Sequence, residues 1–250
     1  MEEANDYHKL LRYFLFNLCI LQAGPINNDL VLDYPSYDQM FSLLLKDKIK
    51  HWKVNVFNIY EDIFPQNLAY YNGFIITGSA YGVYENHTWI KKLFDIINKI
   101  VKFKIPLLGI CFGHQAIAQA LGGHVTKSSK GWGIGIKEIT TKKYSSLLGN
   151  FNKLNLIFFH QDQVVKLPKE AELLASNSFC DIASFSIGDS VLTLQAHPEF
   201  NHDFSLKLLK ARKSNIELLT YLEAVNELKT LDHDGELITP NIIKFLEQKC

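Results

Sequence analysis

Charge of one sign is what this 250-residue chain lacks most plainly: 26 lysines and arginines are matched by 26 aspartates and glutamates. A balance at zero argues against nucleic acid or an acidic membrane surface as the main partner, because both demand a basic surplus, though a local patch stays open. Cysteine is scarce. The four, at positions 19, 111, 180 and 250, form no Cys-x-x-Cys pair, so neither a zinc site nor a disulfide scaffold is indicated, and a reducing cytoplasm is the simplest home. No apolar run is long enough to cross a bilayer: "LLRYFLFNLCILQAG" (10–24) carries Arg12 and Asn17 and is too short. The opening "MEEANDYHK" is acidic where a secretion signal is basic. Missing too are a Gly-x4-Gly-Lys-[Ser/Thr] phosphate loop and a Gly-x-Gly-x-x-Gly dinucleotide turn, so the reading calls for no cofactor and no metal. With no Pro/Gly/Ser-rich linker, repeat or low-complexity stretch, residues 1–250 read as a single domain.

What is present is hydrophobic. An apolar share of 47% with 12% aromatics is ample for a sizeable core and unlike a disordered chain. "YFLFNLCIL" (13–21) reads as a central strand that runs into the loop "QAGP". "YDQMFSLLLKDKI" (37–49) sets Met40, Leu43, Leu44 and Ile49 near helical spacing, and "KVNVFNIY" (53–60) alternates like a strand. "NGFIITGSAYG" (72–82) is a short β-rich run stopped by Gly78 and Gly82. "TWIKKLFDIINKIVK" (88–102) lines up Ile90, Leu93, Phe94, Ile97 and Ile100 on one helical stripe. A strand over "IPLLGI" and a helix over "HQAIAQAL" follow, the helix capped by Gly122 and Gly123. Such alternation predicts an α/β fold with a three-layer, flavodoxin-like, mostly parallel central sheet and helices on both faces. From 133 to 200 short strands succeed one another, "GIGIKEIT", "KLNLIFFH", "AELLASN", "IASFSI" and "SVLTLQAH", which predicts an antiparallel or mixed extension of that sheet. Helical pattern returns over 204–213, 216–231 and 238–249.

The chemistry concentrates at "PLLGICFGHQAIAQALGG" (106–123), where Cys111 stands between Gly109 and Gly113 at the junction of strand and helix. Two readings compete there. Free cysteine is often simply buried at a tight turn. A nucleophile elbow, however, needs a delivering strand, small neighbours that permit a strained turn, and a helix directly afterwards. All three are in this window. The helix N-terminus favours a thiolate and offers free N–H groups to an oxyanion. A thiolate also needs a base, and usually a group that orients the base. Of the nine histidines, His114 sits on the following helix and reads as packing. His124 follows the double glycine, and His8, His51, His87, His202 and His233 lie in polar, surface-like contexts. His160 in "FFHQDQV" and His197 in "LTLQAHPEF" remain. His197 ends a strong strand, Pro198 bends the chain, and Glu199 two residues on can reach back to the imidazole and hold its tautomer.

Together, "LLGICFGHQAIAQALGG" and "QAHPEF" resemble the class I glutamine amidotransferase family, whose signatures are a Gly-[Ile/Val/Leu]-Cys-x-Gly-[His/Met]-Gln elbow and a late His-Pro-Glu. The resemblance implies a Cys–His–Glu triad on Cys111, His197 and Glu199. It also implies an oxyanion hole from the N–H groups of Gly78 and Phe112, and a glutaminase reaction through a γ-glutamyl thioester. Ser79 in the oxyanion loop, Gln115 of the elbow, and His160, Gln161 and Asp162 in "HQDQV" match positions that line the substrate pocket. The family's usual Gly-Gly-Pro-x-Ser loop is here "TGSAYG". From about residue 50 onward the pattern is most similar to the stand-alone, GMP-synthase-like members, which include plant γ-glutamyl peptidases. Related folds in which histidine directly follows the elbow cysteine fit less well, because Phe112 stands there.

About fifty residues follow Glu199, too few for an ATP-binding module. The resemblance therefore implies one of two enzymes. The first is a stand-alone hydrolase acting on a small-molecule γ-glutamyl substrate, either glutamine or a γ-glutamyl peptide. The second is a glutaminase subunit that passes ammonia to a separate synthetase partner. A catalytically silent binding scaffold is the non-enzymatic alternative.

Overall fold

A computed structural model of the chain describes residues 16–46, 51–142 and 148–248. Its strands are β1 (Phe16–Gln22), β2 (Trp52–Asn58), β3 (Gly73–Ile76), β4 (Leu107–Ile110), β5 (His124–Lys127), β6 (Gly133–Thr141), β7 (Lys153–His160), β8 (Asp162–Lys166), β9 (Ala171–Ser176), β10 (Ser184–Ile187) and β11 (Val191–Leu194). Its α-helices are α1 (Tyr37–Leu44), α2 (Thr88–Lys102), α3 (Phe112–Ala120), α4 (His202–Ala211), α5 (Leu218–Thr230) and α6 (Thr239–Glu247).

Among the described residues, nine strands make one sheet in the order β2-β1-β3-β4-β11-β10-β9-β6-β7, and β5 pairs with β8 separately. The first five run parallel, and β10, β9, β6 and β7 extend them antiparallel. The parallel block has the flavodoxin-like order, and the predicted extension is the rest of the same sheet. β1 shows why its centre, Leu18–Leu21, is apolar without alternation: Leu18 and Ile20 face α1 and α6, while Cys19 and Leu21 face α2 and α3. A strand buried on both faces has no polar side to alternate.

The stripe on α2 is as expected at Ile90, Leu93, Ile97 and Ile100, fully buried and each worth about 2 kcal/mol, whereas Phe94 is only half-buried at its margin. α1 differs from expectation. Met40, Phe41 and Leu45 face the core, whereas Leu43 points to solvent at 59% exposure, and Ile49 lies outside the described residues. α4 and α5 cover the antiparallel extension, with Phe204, Leu208, Leu209 and Ala224 packed on Ile134, Ile136 and Ile157. α3 ends as expected: Gly122 at φ +88 and the bonds Gly122 N–H to Gln119 O and Gly123 N–H to Ala118 O close a Schellman cap. Among the described residues, no helix is long and apolar enough to cross a membrane.

Candidate active site

Strand register gathers the site. Ile76 of β3 lies beside Gly109 of β4, and Ile110 beside Leu194 of β11, so all three strands end at one edge of the sheet. Ligand sites in open α/β sheets collect at such an edge. Gly78 leaves β3 two residues on, Cys111 follows β4 directly, and His197 comes three residues after β11. The sequence pattern carried that last strand through to His197. In the fold it stops at Leu194, because the chain leaves the sheet and the His197 N–H bonds across to Ile157 O of β7 at 2.8 Å.

Cys111 is the N-cap of α3 at φ 51, ψ −101, a backbone region that L-residues rarely adopt and that costs on the order of 1–3 kcal/mol. The two flanking glycines make this turn possible. A Cβ on Gly109 would meet the Gly113 carbonyl oxygen at 2.7 Å, and one on Gly113 would meet Ile76 O at 2.3 Å. The helix can therefore start against β3 only without side chains at both positions. Phe112 is its first residue, so the Phe112 N–H has no partner inside the helix. Gly78 N–H donates to no group among the described residues, while its carbonyl is held by the Thr77 hydroxyl at 3.0 Å. Thr77 Oγ1 also accepts from Ala23 N–H at 3.0 Å, tying the loop to the end of β1.

His197 and Glu199 pair through Nδ1 and Oε1 at 2.7 Å, with both side chains buried. The imidazole stacks on Phe200, 3.9 Å between centroids and 9° from parallel. His197 Cε1 and Cys111 Cβ flank one point above Gly78, where a Cβ would lie 2.8 Å from the first and 3.6 Å from the second. Burial alone favours a neutral ring. The Glu199 carboxylate and the Cys111 side chain beside it overcome that and hold the His197 pKa up, to about 10. One buried Glu199 oxygen, Oε2, has no partner among the described residues.

A cavity of about 490 Å³ opens over Cys111 and His197, within the usual range for small-molecule sites, roughly 300–1,000 Å³. Ser79, Gln115, His160, Gln161 and Asp162 all line it. The Ser79 hydroxyl is engaged with Ala23 O at 2.8 Å and Tyr81 N–H at 3.2 Å. Gln115 donates to Asp162 O at 2.8 Å and Gln195 Oε1 at 3.1 Å. His160 donates from Nδ1 to the same Asp162 carbonyl at 2.9 Å, and burial pushes its pKa down to about 4. These contacts lock the β7–β8 turn and leave the Asp162 carboxylate at the cavity, bonded by the Tyr84 hydroxyl at 3.0 Å, with burial raising its pKa. His114 is packing, as its helical position suggests: it is fully buried against Phe185 and bonded to Thr193. Among the described residues no three His, Cys, Asp or Glu side chains gather as a metal site.

Pattern reading missed several lining residues. Tyr37, from the start of α1, stacks 6.1 Å from Phe200, and burial followed by the nearby Cys111 side chain raises its phenol pKa. Trp132 and Arg212 also reach the cavity. Tyr37 opens α1, Arg212 caps α4 and Trp132 stands just before β6, and only the tertiary fold brings them to Cys111.

Residues 31–211 match the class-I glutamine amidotransferase family. The chain belongs to that family. Gamma-glutamyl peptidase 4 of Arabidopsis thaliana is 37% identical over 184 residues, covering 70% of this amidotransferase and 72% of the plant protein. The glutamine-hydrolyzing GMP synthase of Borreliella burgdorferi is 33% identical over 72% of the chain, a match that spans 35% of that synthase. A glutamine amidotransferase crystal structure from Thermotoga maritima superposes with a TM-score of 0.73 at 19% identity, covering 93% of this chain and 97% of that one. The fold is thus the α/β fold of class-I amidotransferases.

Proposed function

We propose that this amidotransferase is a cysteine-dependent hydrolase of γ-glutamyl bonds, whose small-molecule substrate lies in the cavity over Cys111. The observation that carries the reading is the convergence of Cys111 and His197 on the bare Cα of Gly78, with Glu199 bonded to the imidazole. The γ-glutamyl peptidases among its relatives support the same class of reaction.

His197 takes the Cys111 proton, and the thiolate attacks the γ-carbonyl carbon. The carbonyl oxygen becomes an oxyanion held by the N–H groups of Gly78 and Phe112. When it collapses, the C–N bond breaks and the His197 imidazolium protonates the leaving amine, which leaves a γ-glutamyl thioester on Cys111. Water then gives a proton to His197 and adds to the thioester, the C–S bond breaks, and glutamate departs. Glu199 keeps the imidazole in the tautomer that presents Nε2 to sulfur. The raised His197 pKa suits this cycle, because an imidazolium is the required acid in the first half. Asp162, fixed by Gln115 and His160, receives the substrate's ammonium group, with Ser79 and Gln161 as further walls.

Purified protein is assayed against glutamine, glutathione and other γ-glutamyl peptides, beside Cys111→Ala. Turnover is expected to fall on the order of 10⁴-fold or more in the variant, and a glutamine-mimicking electrophile is expected to modify Cys111. Equal rates in both proteins and no adduct would sink the reading. A second reading, an ammonia-supplying subunit for a separate synthetase partner, is favoured by the match to part of a GMP synthase. Co-purification with ammonia transfer to an acceptor would select it.

A further inference from the structure

The cavity extends beyond the groups used above. Arg212, the C-cap of α4, lines it together with Trp132, Phe159, Leu208 and Asn215. The Trp132 indole N–H donates to Asn215 O at 2.9 Å, which pins the turn after Arg212 to the start of β6. Trp132 also meets Phe159 edge-on, 5.9 Å between centroids, so this wall is aromatic. Among the described residues no carboxylate pairs with the Arg212 guanidinium. The cavity's own carboxylates belong to a different wall: Glu85 is bonded to Gly82 N–H at 2.7 Å, and Asp162 to Tyr84. The electrostatics divide the same way. The Tyr37 phenol feels Cys111, Arg212 and Glu199, whereas Asp162 feels Tyr84, Lys127 and Glu85.

We infer that the Arg212 wall is a leaving-group subsite. Arg212 binds a free carboxylate on the far side of the scissile bond, and Trp132 and Phe159 cover the atoms between. The substrate class is then γ-glutamyl amino acids and short γ-glutamyl peptides with an unblocked C-terminus. Glutamine, whose leaving group is ammonia, presents nothing to this wall. Arg212 acts here as a specificity-determining residue, and the inference rests on the γ-glutamyl hydrolase reading.

The test compares γ-glutamyl dipeptides with their C-terminal carboxamides. Wild type is expected to favour the free carboxylate by about tenfold or more in kcat/KM, the worth of one charge-assisted bond. The ratio is expected to collapse toward one in Arg212→Gln and to recover in part in Arg212→Lys. Lys213→Gln, whose ammonium lies over the Tyr221 ring at 5.2 Å, is expected to keep it. The same pairs are titrated calorimetrically into Cys111→Ala protein. Without hydrolysis by wild type, a binding ratio that depends on Arg212 keeps the subsite and refutes only the catalytic reading. Equal affinity or equal kcat/KM for carboxylate and carboxamide overturns the inference, as does a ratio that survives Arg212→Gln.

Discussion

Replacing Gly78 by alanine adds a single methyl at the most crowded point of the site. Built without relaxation, the new Cβ stands 2.8 Å from His197 Cε1 and 3.6 Å from Cys111 Cβ. Carbon atoms rest at about 3.5–4.0 Å, so the ring must retreat by roughly 0.7 Å or more. Its retreat is obstructed on two sides, by the 2.7 Å bond to Glu199 and by the Phe200 ring stacked at 3.9 Å. Gly78 is not among the residues with positive φ, so alanine imposes no backbone strain, and it keeps the N–H that the mechanism needs. The perturbation therefore falls on the imidazole rather than on the fold. Misplacing a catalytic group by about 1 Å costs on the order of 100-fold, and that is the expected loss in kcat/KM for a γ-glutamyl substrate. Stability is expected to drop by only about 1–2 kcal/mol, the usual cost of mild overpacking, read from urea unfolding. The rate of Cys111 alkylation by iodoacetamide gives an independent readout of the displaced ring. A folded Gly78→Ala protein with wild-type kcat/KM would refute the argument that His197 and Cys111 work across this glycine.

Three further perturbations follow from the same geometry. Gly113→Ala drives a Cβ to 2.3 Å from Ile76 O, a backbone atom of the central sheet that cannot swing aside, so a loss of about 3 kcal/mol is expected in urea unfolding, and near-neutral behaviour would contradict the close approach of α3. His197 keeps its proton in the folded state past the point near pH 6.5 where an unfolded imidazole loses it, so its contribution is whole below pH 6.5 and fades as pH rises through about 10. An NMR titration is expected to show the imidazolium persisting above pH 8 in wild type and titrating lower in Cys111→Ala; identical midpoints would count against the coupling. His114 and His160, held neutral chiefly by burial with pKa values of about 3 and 4, act with the opposite sign. Each is expected to subtract roughly 1.4 kcal/mol per pH unit from pH 6.5 down to its own folded pKa, about 3 for His114 and about 4 for His160, and an acid slope that is unchanged in His114→Gln would remove it from that balance.

Legibility in the sequence follows how local each constraint is. β7 is found at its predicted residues because Leu154, Leu156 and Phe158 repeat with period two on one buried face. The small sheet of β5 and β8 goes unread because only Val125, Gln163 and Val164 of its nine residues are buried, which leaves no periodicity to detect. β11 is overread for the converse reason. Gln195 and Ala196 are as buried as any strand residue, but the Gln195 N–H turns to Ala183 O instead of to β4, and no hydropathy pattern encodes that change of partner.

The same rule divides the site. The Cys111 elbow is legible because its requirements, two absent side chains and a strained N-cap, are met within five residues. The partnership of His197 and Glu199 is legible because it spans three. Tyr37 and Arg212 are not, since each depends on Phe200 or Trp132 being brought alongside by elements far away in the chain, and neither residue type is unusual where it stands. Chemistry that must be assembled at one turn leaves a motif, whereas the walls that choose among substrates are drawn from separate elements and leave none. In the proposed function the γ-glutamyl end of the reaction is accordingly written in short motifs, and the proposed leaving-group wall is drawn from α4 and the segment that enters β6.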